Sequence, residues 1–231
     1  MKVFTLNNPP QGVVTTGVFN DESSLSFSQE LIKKLGVTSH IKILKMGDNP
    51  QPPKIAISIA DFTGNIVIYA GSSGRVSIGK CGNLNVDLRI GHNSIINISD
   101  NCTSNGAKIV AIRSEIEIGE DCMISDDVLI QGFDQHGIVD LSSMKIVNSE
   151  LKKTVIGRHV WLGRRCTVMP GANIQDGVIV GALSLVTGVL PSCTIVGGVP
   201  ARVLKKNYSW SRPWTHIDPK TQEFFNSLIA D

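Results

Sequence analysis

Stepping through this chain six residues at a time lands on Ile, Leu or Val over long stretches. From Ile156 the residues met are Leu162, Val168, Ile174, Val180 and Val186. From Ile112 they are Ile118, Ile124 and Ile130, and from Ile78 they are Leu84, Ile90 and Ile96. With 42% of the chain hydrophobic, fourteen such hits would arise by chance about five times in a million. The next residue is often glycine: Gly79, Gly91, Gly119, Gly157, Gly163 and Gly181. A period of six fits neither the 3.6-residue helical turn nor a hairpin meander. It fits a chain that runs a short strand, turns and repeats. Three hexads close a triangular coil, with one branched aliphatic per hexad pointing inward. Coils then stack in parallel about 4.8 Å apart, and the glycine lets the backbone turn the corner.

The register breaks twice. From Ile96 to Ile112 the offset is 16 rather than 18, which predicts a trimmed or irregular coil. From Ile130 to Ile156 it is 26, about eight more than a coil. That second excursion reads HGIVDLSSMKIVNSELKKT. An insertion into a solenoid tends to lie on one face, often the binding face.

Three regions follow: an N-terminal cap over 1–60, a β-helix over 61–204 carrying an inserted loop at 137–153, and a tail over 205–231. Within the cap, 21–35 has the caps and apolar spacing of a short helix that Gly36 would stop, and 48–53 reads as a turn. Strands are expected at 54–60 and 65–70, and a helix at 221–230. A cap would blunt the open end of the solenoid.

A net charge of +2 argues against nucleic acid and membrane surfaces as partners. The first residues lack the layout of a signal peptide, and no apolar run reaches the roughly 18 residues of a membrane span. A cytoplasmic protein is expected. The five cysteines form no C-x-x-C pair, which argues against disulfides and zinc. Cys102, Cys122, Cys166 and Cys193 follow hexad aliphatics at fixed spacing and read as small buried hydrophobes.

The stretch VIGRHVWLGRRCTVMPGANIQDGVIVGALSLVTGVLPSCTIVGGVPARVLKKN resembles the hexapeptide acyltransferases of the maltose, galactoside and xenobiotic acetyltransferase type. Two features resemble the O-acetyltransferases of bacterial capsule and surface-polysaccharide synthesis more specifically. One is the run Asp134-Gln135-His136-Gly137-Ile138-Val139-Asp140 opening the insertion, and the other is the tail Asn207-Tyr208-Ser209-Trp210-Ser211-Arg212-Pro213. The resemblance covers roughly 65–213. It implies an all-β, left-handed parallel β-helix with a small N-terminal cap and a C-terminal tail. It also implies acetyl-CoA as donor, a glycan acceptor, no metal, and a homotrimer whose sites lie between neighbours. Outward Met169, Leu183 and Leu185 are candidates for the trimer contact.

Acetyl transfer from a thioester to a hydroxyl needs a base, donors for the tetrahedral oxyanion and an aligned coenzyme. Imidazole suits the first task near neutral pH. Of the five histidines, His40 and His216 lie outside the repeat. His92 and His159 sit at turns of ordinary hexads, where solvated side chains are expected. Only His136 sits where the repeat opens into a loop, as the family's catalytic histidine does. Asp134, two residues away, would share its side in an extended segment and orient the ring or contact the coenzyme. No Ser or Cys is placed beside His136 to argue for an acyl-enzyme.

By resemblance, Trp161 forms a substrate or coenzyme wall, and Arg164, Ala182 and Thr187 line the coenzyme groove. Gln135 is assigned to the same groove. Arg202, Lys205 and Lys206 follow the last coil and could meet the nucleotide phosphates. Relatives often carry Lys after the Thr, where this chain has Gly188, which removes one coenzyme contact. Rival readings are an amino-sugar N-acetyltransferase or a drug-modifying acetyltransferase, and a non-catalytic assembly solenoid. No histidine pair has the spacing of a γ-carbonic anhydrase-type metal site, and no G-x-G-x-x-G marks a nucleotide-binding domain.

Overall fold

Each aliphatic on the six-residue steps except Ile112 is buried, and the strand pairing explains why. The computed structural model describes residues 1–47 and 50–230, and the side chains of all of these but 229 and 230. The turn expected at 48–53 thus falls partly outside the described residues, at Asp48 and Asn49. Three faces alternate along the chain. On the first face Ile124 pairs with Leu162, Leu162 with Val180 and Val180 with Val196. On the second, Ile130 pairs with Val168 and Val168 with Val186. On the third, Ile118 pairs with Ile156, Ile156 with Ile174 and Ile174 with Leu190. All these pairings are parallel, so each inward side chain sits on its equivalent in the next coil. Successive hexads visit successive faces, which makes the protein a three-sided parallel β-helix.

The prism extends into the N-terminal segment. Strands Val13–Thr16 and Ser39–Lys45 continue the second face in parallel, and Ser24–Phe27 continues the third. The end is covered by Lys2–Thr5, which runs antiparallel to Ser24–Phe27. Helix α1, Gln29–Lys34, begins where Ser28 Oγ accepts from the Leu31 amide at 3.0 Å. It stops before Gly36, whose φ is +77°. At the far end Arg202–Lys206 folds back antiparallel on Thr194–Gly197. Helix α2, Pro219–Ala230, closes the chain.

Three expectations need correction. The coil between Ile96 and Ile112 is irregular, as the broken register predicts, but it is lengthened rather than trimmed. Ile78 pairs with Ile98 and Ile98 with Ile118, twenty residues per coil, against eighteen from Ile156 to Ile174. There the strand Thr103–Ile112 runs from the first face onto the second without a break, and Ile112 lies past its buried end. The insertion is also longer than eight residues. One step from second to third face takes six residues in Val168 to Ile174 but twenty-six in Ile130 to Ile156. The excursion joins adjacent faces rather than completing a coil.

The glycines that follow the inward aliphatics do not turn the corners. A Cβ on Gly163 would lie 2.6 Å from the carbonyl oxygen of Val180 in the next coil, so close approach excludes a side chain there. The left-handed corner positions belong to other residues. At the corner between third and first faces, Asn101, Asp121, His159, Gly177 and Cys193 stack with φ between 51° and 71°. Each donates its amide to the coil before it, as His159 does to the Glu120 carbonyl at 2.7 Å.

Candidate functional site

The insertion leaves the prism at the corner between second and third faces. Its root is tied by one side chain, Asn148, which is buried although its loop is exposed. Asn148 Nδ2 donates to the His136 carbonyl at 2.9 Å and to Asp134 Oδ2 at 3.3 Å, and its Oδ1 accepts from the Ile138 amide at 2.7 Å. Beyond the root, Val139–Asp140 and Lys145–Ile146 pair as a two-stranded hairpin. Its turn is organised by Asp140, which accepts from the hydroxyls of Ser142 at 2.6 Å and Ser143 at 2.8 Å. These bonds and the Ser142 amide hold the Asp140 carboxyl down to about 2, so it stays ionised.

His136 is exposed at the mouth of a cleft of about 590 Å³, lined among others by His92, Ile112, Phe133, Ile146 and Asn148. Mostly apolar walls and the exposed imidazoles of His92 and His136 make a place where a proton can be taken from a bound hydroxyl. The premise of an extended 134–136 segment fails. Gln135 has φ of +54°, and the His136 amide donates to the Asp134 carbonyl, closing a three-residue turn. The Asp134 carboxylate is bonded to Asn148, and among the described residues no hydrogen bond joins it to the His136 ring. Asp134 supports the loop rather than aligning the imidazole directly.

The remaining candidates are spread around the prism. Thr187 is exposed and directly follows the second-face strand Leu185–Val186, at the same corner as the insertion. Arg164 and Ala182 lie on adjacent coils at the corner between first and second faces, where the Leu183 amide donates to the Arg164 carbonyl at 2.9 Å. The Arg164 guanidinium pairs with Asp126 at 2.9 Å. Trp161 stands on the first face, its Nε1 donating to Ser125 Oγ at 3.4 Å. Arg202, Lys205 and Lys206 are exposed on the terminal antiparallel strand. Lys205 Nζ sits 5.1 Å from the centre of the Tyr208 ring. A single chain therefore places His136 and Trp161 on different sides of the prism.

His159 is not the solvated turn residue expected. It is buried, with Nδ1 at 2.7 Å from Asp121 Oδ2 and Nε2 at 2.8 Å from the Trp210 carbonyl. The expectation failed because the partner that encloses it, Trp210, is 51 residues further along the chain. Cys102, Cys122 and Cys166 are buried as expected, whereas Cys193 is half-buried. Burial pushes the Cys166 thiol up to about 12. Among the described residues no three His, Cys, Asp or Glu side chains converge to hold a metal ion, and no helix is long and apolar enough to cross a membrane.

A stack of hexad coils interrupted by one histidine-bearing loop defines a hexapeptide-repeat transferase. The family model of the bacterial transferase hexapeptide (six repeats) matches residues 153–188. The putative lipopolysaccharide biosynthesis O-acetyl transferase of Escherichia coli K12 is 32% identical over 155 residues, covering 63% of this chain and 79% of the relative. The polysialic acid O-acetyltransferase of Neisseria meningitidis is 35% identical over 126 residues, 52% of this chain and 58% of that one. Among solved structures, the polySia-specific acetyltransferase NeuO superposes with a TM-score of 0.74 at 24% identity, covering 94% of this chain and 93% of the other. The chain belongs to the hexapeptide-repeat acetyltransferases, and its prism is the left-handed parallel β-helix of that family.

Proposed function

We propose that this protein is an acetyl-CoA-dependent O-acetyltransferase that acetylates a hydroxyl of a bacterial surface or capsular polysaccharide. The observation that carries the reading is His136, presented by an Asn148-tied loop at the mouth of the cleft. The imidazole takes the proton of the acceptor hydroxyl as its oxygen attacks the thioester carbonyl. Backbone amides receive the developing oxyanion. Collapse breaks the C–S bond, and the imidazolium returns the proton to the departing thiolate. Transfer is direct, with no acyl-enzyme.

The relatives named for polysialic acid and lipopolysaccharide support a glycan acceptor. The site assembles in a cytoplasmic homotrimer: the His136 loop of one subunit meets Trp161, Arg164 and Ala182 of its neighbour, while Arg202, Lys205 and Lys206 meet the coenzyme phosphates. Leu141, Met144, Ile146 and Val147, all exposed on the hairpin, give it an apolar surface to set against that neighbour. His136→Ala should lower turnover by about 10²–10⁴-fold while leaving coenzyme binding by calorimetry intact. Unchanged turnover would remove His136 from the mechanism. Parallel assays with hydroxyl and amino acceptors separate O- from N-transfer.

A further inference from the structure

Past the last coil the chain turns back along the corner between third and first faces and crosses the coils in reverse order. The Tyr208 amide donates to the Cys193 carbonyl at 3.0 Å, and Ser209 Oγ donates to the Gly177 carbonyl at 2.9 Å. Trp210 meets His159 one coil further on. Arg212 reaches the two coils beyond: its Nε donates to Asp121 Oδ1 at 3.1 Å, Nη1 to Thr103 Oγ1 at 3.0 Å and Nη2 to the Asn101 carbonyl at 3.0 Å. One short segment thus ties five successive coils.

At the centre of this seam the His159 and Trp210 rings stack with centroids 4.2 Å apart and planes 8° apart. They are bonded reciprocally. Trp210 Nε1 donates to the His159 carbonyl at 2.8 Å, and His159 Nε2 faces the Trp210 carbonyl at 2.8 Å. A carbonyl oxygen can only accept, so Nε2 carries a proton. Nδ1 faces Asp121 Oδ2 at 2.7 Å. The other oxygen of Asp121 is held by Arg212 at 3.0 Å and Lys220 at 3.4 Å, which marks the group as a carboxylate. A carboxylate also only accepts, so Nδ1 carries a proton too. A neutral ring has one N–H and would set a lone pair against one of these oxygens.

The other groups around the ring do not change this count. Arg158 is paired with Asp176 at 2.7 Å and lies over the Phe224 ring. Asp218 is bonded to Thr221 and Ser211. From α2, Phe224 and Phe225 bring only ring faces and edges to His159. The Cys122 thiol, beside Asp121, is directed at the Gly157 carbonyl.

We propose that His159 is a proton-operated latch: as an imidazolium it fastens the C-terminal segment to the prism corner, and on losing its proton it releases Trp210 and the residues that follow. The latch is closed while Asp121 is ionised and both ring nitrogens of His159 carry protons, and opens when one of those protons is withdrawn.

Intrinsic fluorescence tests this without any acetyl transfer. A Trp214→Phe variant removes the fully exposed indole and leaves Trp161 and Trp210. Titrated from roughly pH 5.5 to 9.5, its emission should show one transition as the imidazolium leaves the indole face. Above the midpoint the Trp210 indole N–H, bonded to the His159 carbonyl while the latch is closed, should exchange hydrogen about tenfold to a hundredfold faster, after correction for intrinsic rate. Adding His159→Gln should abolish the transition. Adding Asp121→Asn should move the midpoint down by about one pH unit or more, because the imidazolium loses its counter-ion. If His159→Gln does not fold, the Asp121→Asn shift decides. A flat titration, a transition that survives His159→Gln, or a midpoint unmoved by Asp121→Asn would overturn the latch.

Discussion

Asn148 holds the histidine loop with three hydrogen bonds and has almost no solvent to replace them. Asn148→Ala would leave the Ile138 amide and the His136 carbonyl without this partner, at a cost of about 1–3 kcal/mol to the local structure. Turnover should fall about tenfold or more with coenzyme affinity retained, and the Ile138 amide should exchange faster. Normal turnover beside a loosened loop would show that the imidazole needs no such support. Asp121 carries a pH dependence. Burial alone would raise its carboxyl, but the hydrogen bond from His159 and the charges of Arg212 and Lys220 outweigh burial and hold it below the ordinary value. A carboxyl lowered on folding stabilises above its unfolded pKa of about 3.9 and loses that contribution as the pH falls through the folded value. Asp121→Asn should therefore lower Tm at neutral pH and flatten its decline in acid. Parallel melting curves across the acid range would refute this. His136 could be singled out in the sequence because the insertion that carries it breaks a strict period. His159 could not, because its spacing is that of any corner residue and its surroundings come from the tail.

The terminal strand Arg202–Lys206 exposes all five of its side chains, three of them cationic, and among the described residues none of these cations has an ion-pair partner. Unpaired cations on a fixed strand suit the phosphates of a nucleotide. Replacing Lys205 and Lys206 together by Ala should weaken coenzyme binding about tenfold or more, with a salt dependence that also decreases. A change confined to acceptor affinity would move the groove elsewhere. The inward ladder was readable in the sequence because burial demands one aliphatic on each face of each coil. Coil length was not, since counting by six is blind to strands such as Thr103–Ile112 that round a corner without a break. The role of glycine was also misassigned. Its hexad position marks close approach between coils, and residues such as Asp121, Asp127 and Arg165 accept the left-handed corner instead. The course of the C-terminal segment left no periodic trace, because it crosses the repeat rather than following it.

At the scale of the whole molecule the decisive fact is the separation of candidate residues around one prism. His136 leaves the corner between second and third faces, while Trp161 stands on the first. A reaction that needs both must draw them from two subunits, and subunit mixing can test that. If the protein assembles as the proposed trimer, His136→Ala and Trp161→Ala variants should each be nearly inactive on their own. Co-assembled from equal amounts of the two variants, an interface is intact only where the Trp161→Ala subunit supplies the histidine and the His136→Ala subunit supplies the indole. Random assembly meets that condition at about a quarter of the interfaces, so about a quarter of wild-type activity should return. A site contained within one chain gives no recovery at any mixing ratio. The same mixture also separates two roles for the hairpin. If Leu141, Met144 and Ile146 hold subunits together, replacing them with polar residues should abolish recovery by preventing co-assembly, visible as monomers by light scattering. Should such a variant stay trimeric and still complement, the hairpin faces acceptor or solvent, and the apolar contact must come from another surface of the prism.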